Sequence, residues 1–213
     1  MRIQTAEDLN DFLSAEIAWR KKELYDLRSL VLQNPQNARN SLIRSGVTAL
    51  YAHWEGFVRA SATAYLEYVA RRKLTCHSLA SNFLALALRP KLNQALTSSR
   101  IEAFVDVVEF LVEQISSTAK IEWRGAINTK SNLSSKVFRE ILRMLGLDYS
   151  YYASKEKVID EKLLRSRNNI AHGKNLTMDK ESFLELHDEV WDLMNNLRNQ
   201  IDNAAATGGY RRN

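Results

Sequence analysis

A seven-residue stretch near the end of the chain, RNNIAHG at residues 167–173, combines side chains that could act on a phosphate. At about 100° per residue on a helix, Asn168 and His172 lie one turn apart on the same face. Arg167 flanks them and can turn its guanidinium towards them. Arg165, seven residues before His172, falls on nearly the same face. A cation, an amide and an imidazole therefore converge on one strip.

Such a strip could support the transesterification of RNA. An arginine binds a phosphate through two hydrogen bonds and neutralises the charge that grows on its non-bridging oxygens. A histidine side chain can remove the proton of a 2′-hydroxyl or protonate the leaving 5′ oxygen. This reaction needs a base, an acid and a charge clamp, but no metal ion. One chain supplies only one well-placed histidine here. A two-fold dimer that joins two copies would bring two such histidines together, one for the base and one for the acid.

The spacing of arginine and histidine is weak evidence by itself. The stretch RRKLTCH repeats that spacing with Arg71, Arg72 and His77, but no amide follows its arginines. For RNNIAHG, the residues also leave open a purely structural alternative, in which His172 satisfies the last carbonyls of a polar helix end.

The sequence lacks the motifs of common metal-dependent and nucleotide-dependent enzymes. It contains no GxxxxGK[ST] phosphate loop, no GxGxxG turn, no HExxH or CxxC pair and no GxSxG elbow. The carboxylates are scattered over predicted helix faces. Cys76 is the only cysteine, so an internal disulfide is excluded and a packed thiol is expected. We therefore predict a protein without a metal and without a cofactor.

Composition favours one helical domain. The chain has 213 residues, of which 45% are hydrophobic, and its 7 Gly and 2 Pro are too few for an all-β fold. The formal net charge of +5 is compatible with RNA as a partner, although a solvated mixed-charge surface is by itself the better explanation of that charge. A signal-peptide core and a membrane-length apolar run are both lacking, so we expect a cytoplasmic protein.

Apolar periodicity predicts an elongated, all-α helical bundle as a single domain over residues 1–203. The core is expected from the long second helix and the last two helices, and residues 204–213 are expected to form a flexible basic tail. Residues 117–133 lack a clear period and predict a loop or a short β insertion. The predicted helices span residues 5–34, 36–73, 77–88 (stopped by Pro90), 99–115, 134–145, 157–172 and 179–203.

Three sequence blocks together resemble the HEPN superfamily. They are LYAHWEGFVRA, TKSNLSSKVFREILRMLGLD and LLRSRNNIAHG, in this order, and the last contains an RNxxxH signature. The resemblance is to the MAE_28990/MAE_18760-like (RiboL-PSP-type) HEPN branch and spans roughly residues 40–200. The three blocks together are more specific than the RNxxxH signature alone.

This resemblance implies a helical domain that acts as a metal-independent endoribonuclease, commonly a toxin of a toxin–antitoxin or phage-defence system. It also implies a homodimer in which the two RNxxxH motifs face each other across the interface. The residues that match the family's catalytic motif are Arg167, Asn168 and His172. His53 and Glu55, in the HWEGF block, become candidates for supporting the site. Their alternative is structural, with Glu55 as the ion-pair partner of a basic side chain.

Basic residues beside the motif, Arg165 and Lys174, are expected to guide RNA. Some HEPN toxins carry a tyrosine two residues after the histidine, which a partner nucleotidyltransferase modifies to silence them. Here that position is Lys174, which argues against this form of silencing. The sequence is still compatible with a cognate antitoxin protein of another kind. The alternative function is a non-catalytic HEPN-like module for RNA binding, protein binding or dimerisation, and a third is an antitoxin or adaptor.

Overall fold

The helices of this chain account for most of its length. The computed structural model describes residues 2–98, 100–113, 115–175 and 177–212, and within these ranges it contains no β-strand, only isolated bridges between Thr75 and Thr118 and between Leu79 and Arg211. The all-α fold is therefore confirmed. The α-helices are α1 (Ala6–Gln33), α2 (Gln36–Arg71), α3 (Ser81–Ser98), α4 (Ile101–Glu113), α5 (Ser135–Leu145), α6 (Ser150–Ala153), α7 (Ser166–Ala171) and α8 (Lys180–Thr207). A 3₁₀ turn covers Cys76–Ser78, and a π-helix covers Val158–Arg165.

Local capping signals set several helix ends where the sequence predicts them. Thr5 and Asp8 form a reciprocal capping box at the start of α1. The Ser134 and Asp179 side chains accept backbone N–H groups at the starts of α5 and α8. Gly146 ends α5 with φ +69, in the left-handed region that glycine adopts without strain.

The core lies where α1, α2 and α8 pack against one another. Trp54 and Phe57 of α2 are fully buried, and the Phe138 ring of α5 meets Trp54 at a centroid distance of 4.9 Å. Full burial of such a side chain is worth about 1.5–3 kcal/mol. The expectation that α2 and the last two helices alone form the core omitted α1, which carries buried side chains along its whole length.

One close helix contact joins α2 to α8 at Gly46. A Cβ atom at this position would lie 2.6 Å from Cε2 of Phe183, a ring with no exposed surface. The missing side chain therefore lets the two helices approach, although glycine is unfavourable inside a helix by about 1 kcal/mol relative to alanine.

A histidine couples α1 to α2. His53 is buried, its Nε2 lies 3.3 Å from Oε2 of Glu23, and its ring centroid lies 5.2 Å from that of Trp19. Burial lowers the pKa of His53, and Arg20 lowers it further, while Glu23 opposes the shift. His53 therefore contributes to the packing of α1 on α2 in its neutral form.

The predicted stop at Pro90 was wrong, because α3 continues through it to Ser98. A proline inside a helix removes one hydrogen bond and costs about 3 kcal/mol. The apolar face of α3 continues on both sides of Pro90, with Phe83, Leu88 and Ala95 buried, and α3 packs against both α4 and α5. This packing outweighs the local cost. The predicted start of the following helix, Ser99, lies outside the described residues.

The C-terminal segment, expected to be flexible, is held against α2. Helix α8 runs to Thr207, and Gly208 ends it with φ +72. Tyr210 is buried, and its ring packs edge-on against Tyr68 at 5.6 Å. Its carbonyl accepts the Ala80 N–H at 2.9 Å. Asn213, the last residue of the predicted tail, lies outside the described residues.

We expect Gly46→Ala to lower stability by about 1–3 kcal/mol, because overpacking against Phe183 exceeds the gain in helix propensity. Thermal unfolding followed by circular dichroism measures this change. The matched control is Gly56→Ala on the same helix, where the nearest atom to a new Cβ is the flexible Nη2 of Arg20 at 3.3 Å. A melting temperature of Gly46→Ala equal to or above that of the control would contradict the close contact.

A second prediction concerns pH. The pKa of His53 in the folded chain lies below its ordinary value of 6.5, so the unfolded chain binds the proton more tightly. The contribution of neutral His53 to the stability of the fold is therefore complete above that ordinary value. It is lost as the pH falls from there towards the pKa of His53 in the folded chain. His53→Gln should therefore lessen the fall in melting temperature between about pH 7 and pH 5. Parallel curves for the variant and the original protein would refute this role.

Candidate active site

The RNNIAHG stretch lies at the end of a helix, as the sequence predicts. α7 runs to Ala171, the His172 N–H donates to the Asn168 carbonyl at 3.0 Å, and Gly173 adopts φ +71. The Lys174 N–H then returns to the Asn169 carbonyl at 2.9 Å. Only glycine enters this conformation without strain. The motif therefore lies on the last turn of a helix that is closed by a glycine turn.

The helix before the motif is not the uniform α-helix that was predicted for residues 157–172. Its first part, Val158–Arg165, is a π-helix, and the α-helical turns begin only at Ser166. A π-helix holds more residues per turn than an α-helix, so it changes which face the following residues present, and such segments are frequent at functional sites. Ile159 and Leu163 anchor it in the core, and Asp160 accepts Ser135 N–H at 2.7 Å and Ser135 O–H at 2.5 Å.

Arg167 is held by three contacts. Its guanidinium carbon lies 4.1 Å from the ring centroid of Tyr51 on α2, a cation–π contact. Nη1 donates to Oδ1 of Asn168 at 2.8 Å, and Nη2 donates to the carbonyl of Ser131 at 2.9 Å. Both oxygens are neutral, and in the described part of the chain Arg167 takes part in no ion pair. Its positive charge is therefore fixed in position but is not compensated by a carboxylate.

The carbonyl that binds Arg167 comes from a strained turn of the 117–133 loop. Lys130 and Ser131 adopt φ +54 and +57, values that are uncommon for residues with a side chain. Each such residue costs of order 1–3 kcal/mol, so the surrounding contacts must hold the turn. One of them is the Leu133 N–H, which donates to the Tyr51 hydroxyl at 2.7 Å. Tyr51 thus contacts both the loop and the guanidinium.

Glu55 lies one turn after Tyr51 and anchors the same loop. It accepts the Thr129 hydroxyl at 2.5 Å and Nη2 of Arg59 at 3.2 Å, and Arg59 also donates to the Thr129 oxygen at 2.8 Å. The structural alternative, an ion pair with a basic side chain, therefore describes the observed contacts of Glu55. Its carboxylate helps to hold the loop that supports Arg167.

Burial controls the chemistry of Tyr51. The side chain is almost fully buried, and burial raises the pKa of its hydroxyl, with a smaller contribution from Glu55. Arg167 and the bond from Leu133 act in the opposite direction. Tyr51 is therefore a neutral platform beneath the arginine at physiological pH, not an ionised partner for it.

The remaining motif residues face outwards. His172, Arg165 and Lys174 are exposed, and Asn168 is partly buried against Arg167. Arg44 of α2 donates through Nη1 to the Lys174 carbonyl at 2.9 Å, which ties the turn after the motif to α2. The His172 imidazole is exposed, and the nearby cations are those of Arg165, Lys174 and Arg44. An anionic ligand can therefore approach this side of the molecule.

Two sequence candidates lie away from this cluster. His53 contacts Glu23 and Trp19 on α1, so the structure does not bring it to Arg167. In RRKLTCH, Arg71 pairs with Glu67 at 2.6 Å, and His77 lies in the 3₁₀ turn. Cys76 is buried, as expected for a packed thiol.

Three residues of the site were not predicted from the sequence: Tyr51, Ser131 and Arg44. Tyr51 had a usable signal, because Tyr51, Glu55 and Arg59 follow one another at intervals of four and so share one face of the predicted helix. Ser131 contributes only a backbone carbonyl, and its type carries no signal for that role. Arg44 is one of many scattered basic residues.

Within the described ranges, no group of three His, Cys, Asp or Glu side chains is placed to hold a metal ion. No described helix has both the length and the apolar content needed to cross a membrane.

No curated protein and no solved structure gives a significant match. The family model of MAE_28990-like HEPN proteins, however, matches residues 9–210, which include α2, the 117–133 loop, the motif and α8. Since this match covers nearly the whole chain, the protein belongs to the MAE_28990-like HEPN family.

Proposed function

We propose that this protein is a metal-independent endoribonuclease that cleaves RNA by 2′-hydroxyl transesterification. Membership of a HEPN family is compatible with a nuclease or an RNA-binding module. The observation that carries the proposal is the environment of Arg167, an oriented guanidinium bound only by neutral oxygens and an aromatic face, five residues before an exposed histidine. An uncompensated cation beside an imidazole matches the needs of a pentavalent phosphate transition state.

In the proposed reaction, the 2′ oxygen attacks the adjacent phosphorus and the bond from phosphorus to the 5′ oxygen breaks. A base takes the proton of the 2′-hydroxyl, and an acid gives a proton to the departing 5′ oxygen. The products are a 2′,3′-cyclic phosphate and a 5′-hydroxyl. Arg167 stabilises the charge on the non-bridging oxygens, His172 transfers a proton, and Asn168 orients Arg167 through the bond to Nη1.

The reaction needs both a base and an acid, and each chain contributes one exposed histidine to this cluster. We therefore propose a homodimer in which the motifs of two chains face each other and form one composite site. Analytical ultracentrifugation tests this part, since a fully active protein that remains monomeric at assay concentrations would contradict a shared site.

The proposed biological role is that of a toxin in a toxin–antitoxin or phage-defence system, restrained by a cognate antitoxin protein. Lys174 and Arg165 lie exposed beside the motif, where they can attract an RNA backbone by charge. The competing function is that of a HEPN module that binds RNA or protein at the same surface without turnover. The cleavage assay below distinguishes this module from a nuclease.

Arg167→Ala and His172→Ala should each reduce RNA cleavage by at least a hundredfold, since a charge-stabilising donor or a general acid–base group contributes about 10²–10⁴. The purified protein is incubated with total RNA and with tRNA in EDTA, and the fragment ends are mapped for 2′,3′-cyclic phosphate. Both variants should keep the far-ultraviolet circular dichroism of the original protein and should lose growth toxicity.

The matched control is His77→Ala, because His77 is exposed and also follows arginines at the same spacing. It should retain full cleavage. Unchanged cleavage by His172→Ala protein would refute the assigned role of His172. Binding of RNA without cleavage by the original protein would replace the nuclease with the binding module.

A conservative change tests the uncompensated charge directly. Asn168→Asp places a carboxylate beside Nη1 of Arg167, where the amide oxygen now lies at 2.8 Å. An ion pair would then neutralise the guanidinium, so we expect a fall of tenfold or more in kcat/KM, larger than that of Asn168→Ala. Steady-state kinetics on a defined oligonucleotide compares the two variants. Equal activity of Asn168→Asp and the original protein would show that the charge of Arg167 need not be uncompensated.

A further inference from the structure

A second cationic surface lies at the other end of α2, away from the RNNIAHG motif. There a cavity of about 720 Å³ opens between the N-terminal segment, the end of α2 and the start of the 117–133 loop. Its charged and aromatic lining comprises Arg2, Arg71, Lys73, Lys120 and Trp123. We call it the basic cavity.

The charge of the basic cavity is strongly one-sided. Four cationic side chains line it, and no carboxylate does so in the described part of the chain. Nearby Glu67 is occupied, because its Oε1 accepts Nε of Arg71 at 2.7 Å and the Ile3 N–H at 3.4 Å. This pair holds the Arg71 guanidinium at the wall. A cavity lined by one sign of charge concentrates ligands of the opposite sign, here anions.

Lys73 lies just past Arg72, the C-cap residue of α2, at the position where helices commonly end in the left-handed conformation. Lys73 follows α2 with φ +49, a conformation that glycine would adopt at lower cost. Two contacts fix the walls around it, since the Lys73 N–H donates to the Ala70 carbonyl at 3.5 Å and the Ala119 N–H donates to the Leu74 carbonyl at 2.8 Å. The chain therefore keeps a lysine at a position that favours glycine.

Trp123 adds an aromatic surface to these cations. Its indole is partly buried, and the Arg124 guanidinium carbon lies 4.7 Å from the ring centroid. Cations that follow a backbone, combined with an aromatic side chain on which a base can stack, are the usual arrangement for binding single-stranded nucleic acid.

The 117–133 loop connects the basic cavity to the candidate active site. Its Ala119 contacts Leu74 just after α2, its Thr129 contacts Glu55 in the middle of α2, and its Leu133 contacts Tyr51. Twenty residues of helix separate Tyr51 from Arg71, which corresponds to about 30 Å at the α-helical rise. A stacked strand at about 3.4 Å per nucleotide covers that distance with about nine nucleotides.

We propose that the basic cavity binds backbone phosphates of the RNA strand that is cut at Arg167 and His172, about nine nucleotides from the scissile bond. This inference rests on the proposed function and adds a second contact with the substrate. Lys73, Lys120 and Arg71 bind phosphate, and Trp123 stacks on a base. Substrates too short to span both surfaces can occupy only one of them at a time and lose the gain from binding both.

The test uses two 2′-O-methyl oligonucleotides, of 6 and 20 nucleotides, which bind but cannot be cleaved. Fluorescence anisotropy measures their affinity between 50 and 200 mM salt for the original protein and for Lys73→Gly with Lys120→Ala. Because each phosphate contact on a single strand contributes about 0.7 to the salt slope, the double variant should lower the slope for the 20-mer by about 1.4. Its affinity for the 20-mer should fall about tenfold, and its affinity for the 6-mer should fall less, because the 6-mer cannot bind both surfaces at once.

Two controls separate lost contacts from lost structure. Lys73→Gly alone relieves the positive φ, so its melting temperature should equal or exceed that of the original protein while its affinity for the 20-mer falls. Lys22→Ala with Lys157→Ala removes two exposed charges elsewhere on the molecule and should leave the slope within a few tenths of the original.

Equal affinities of the Lys73/Lys120 variant and the original protein for the 20-mer would overturn the inference, whether or not the protein cleaves RNA. Absence of cleavage of any unmodified RNA by the original protein would instead refute the proposed function, since the anisotropy measurement does not depend on turnover.

Discussion

The environment of one guanidinium, that of Arg167, determines how the rest of the site must be built. A partly buried cation loses hydration, and the usual compensation in proteins is a carboxylate. Here the compensation comes from the Tyr51 ring, worth about 0.5–2 kcal/mol, and from hydrogen bonds to a charged group, about 1.5–3 kcal/mol each. The neutral partners stabilise the position of the arginine without cancelling its charge. Its electrostatic field therefore remains available to an anionic ligand.

This constraint explains why unusual backbone collects around Arg167. A neutral acceptor at Nη2 must be a carbonyl directed at the guanidinium, and the left-handed turn at Lys130 and Ser131 provides it. The π-helix before the motif sets which face of α7 meets α2. Glu55, through Thr129, and Tyr51, through Leu133, hold the strained loop in place. Strain in two segments is thus balanced by contacts that converge on α2.

Local rules made much of the fold predictable from the sequence. The Thr5–Asp8 capping box and the glycine ends at 146 and 173 depend on neighbours within a few residues. The path through Pro90 and the π-helix could not be predicted in this way, because tertiary packing overrides a local preference there. The motif itself was visible in the sequence. Its support was not, since Tyr51 lies more than a hundred positions before Arg167 and Ser131 acts through its backbone.

Helix α2 fixes the distance between the two proposed RNA contacts. Its buried stripe leaves little freedom to bend, so the motif at Tyr51 and the basic cavity at Arg71 stay about 30 Å apart. Both proposed contacts are with phosphate, which carries no base identity. A rigid spacing between two phosphate contacts selects for the length and extension of a strand more than for its sequence. Preference among RNAs of equal length must then come from stacking on Trp123 and from how readily each RNA becomes single-stranded.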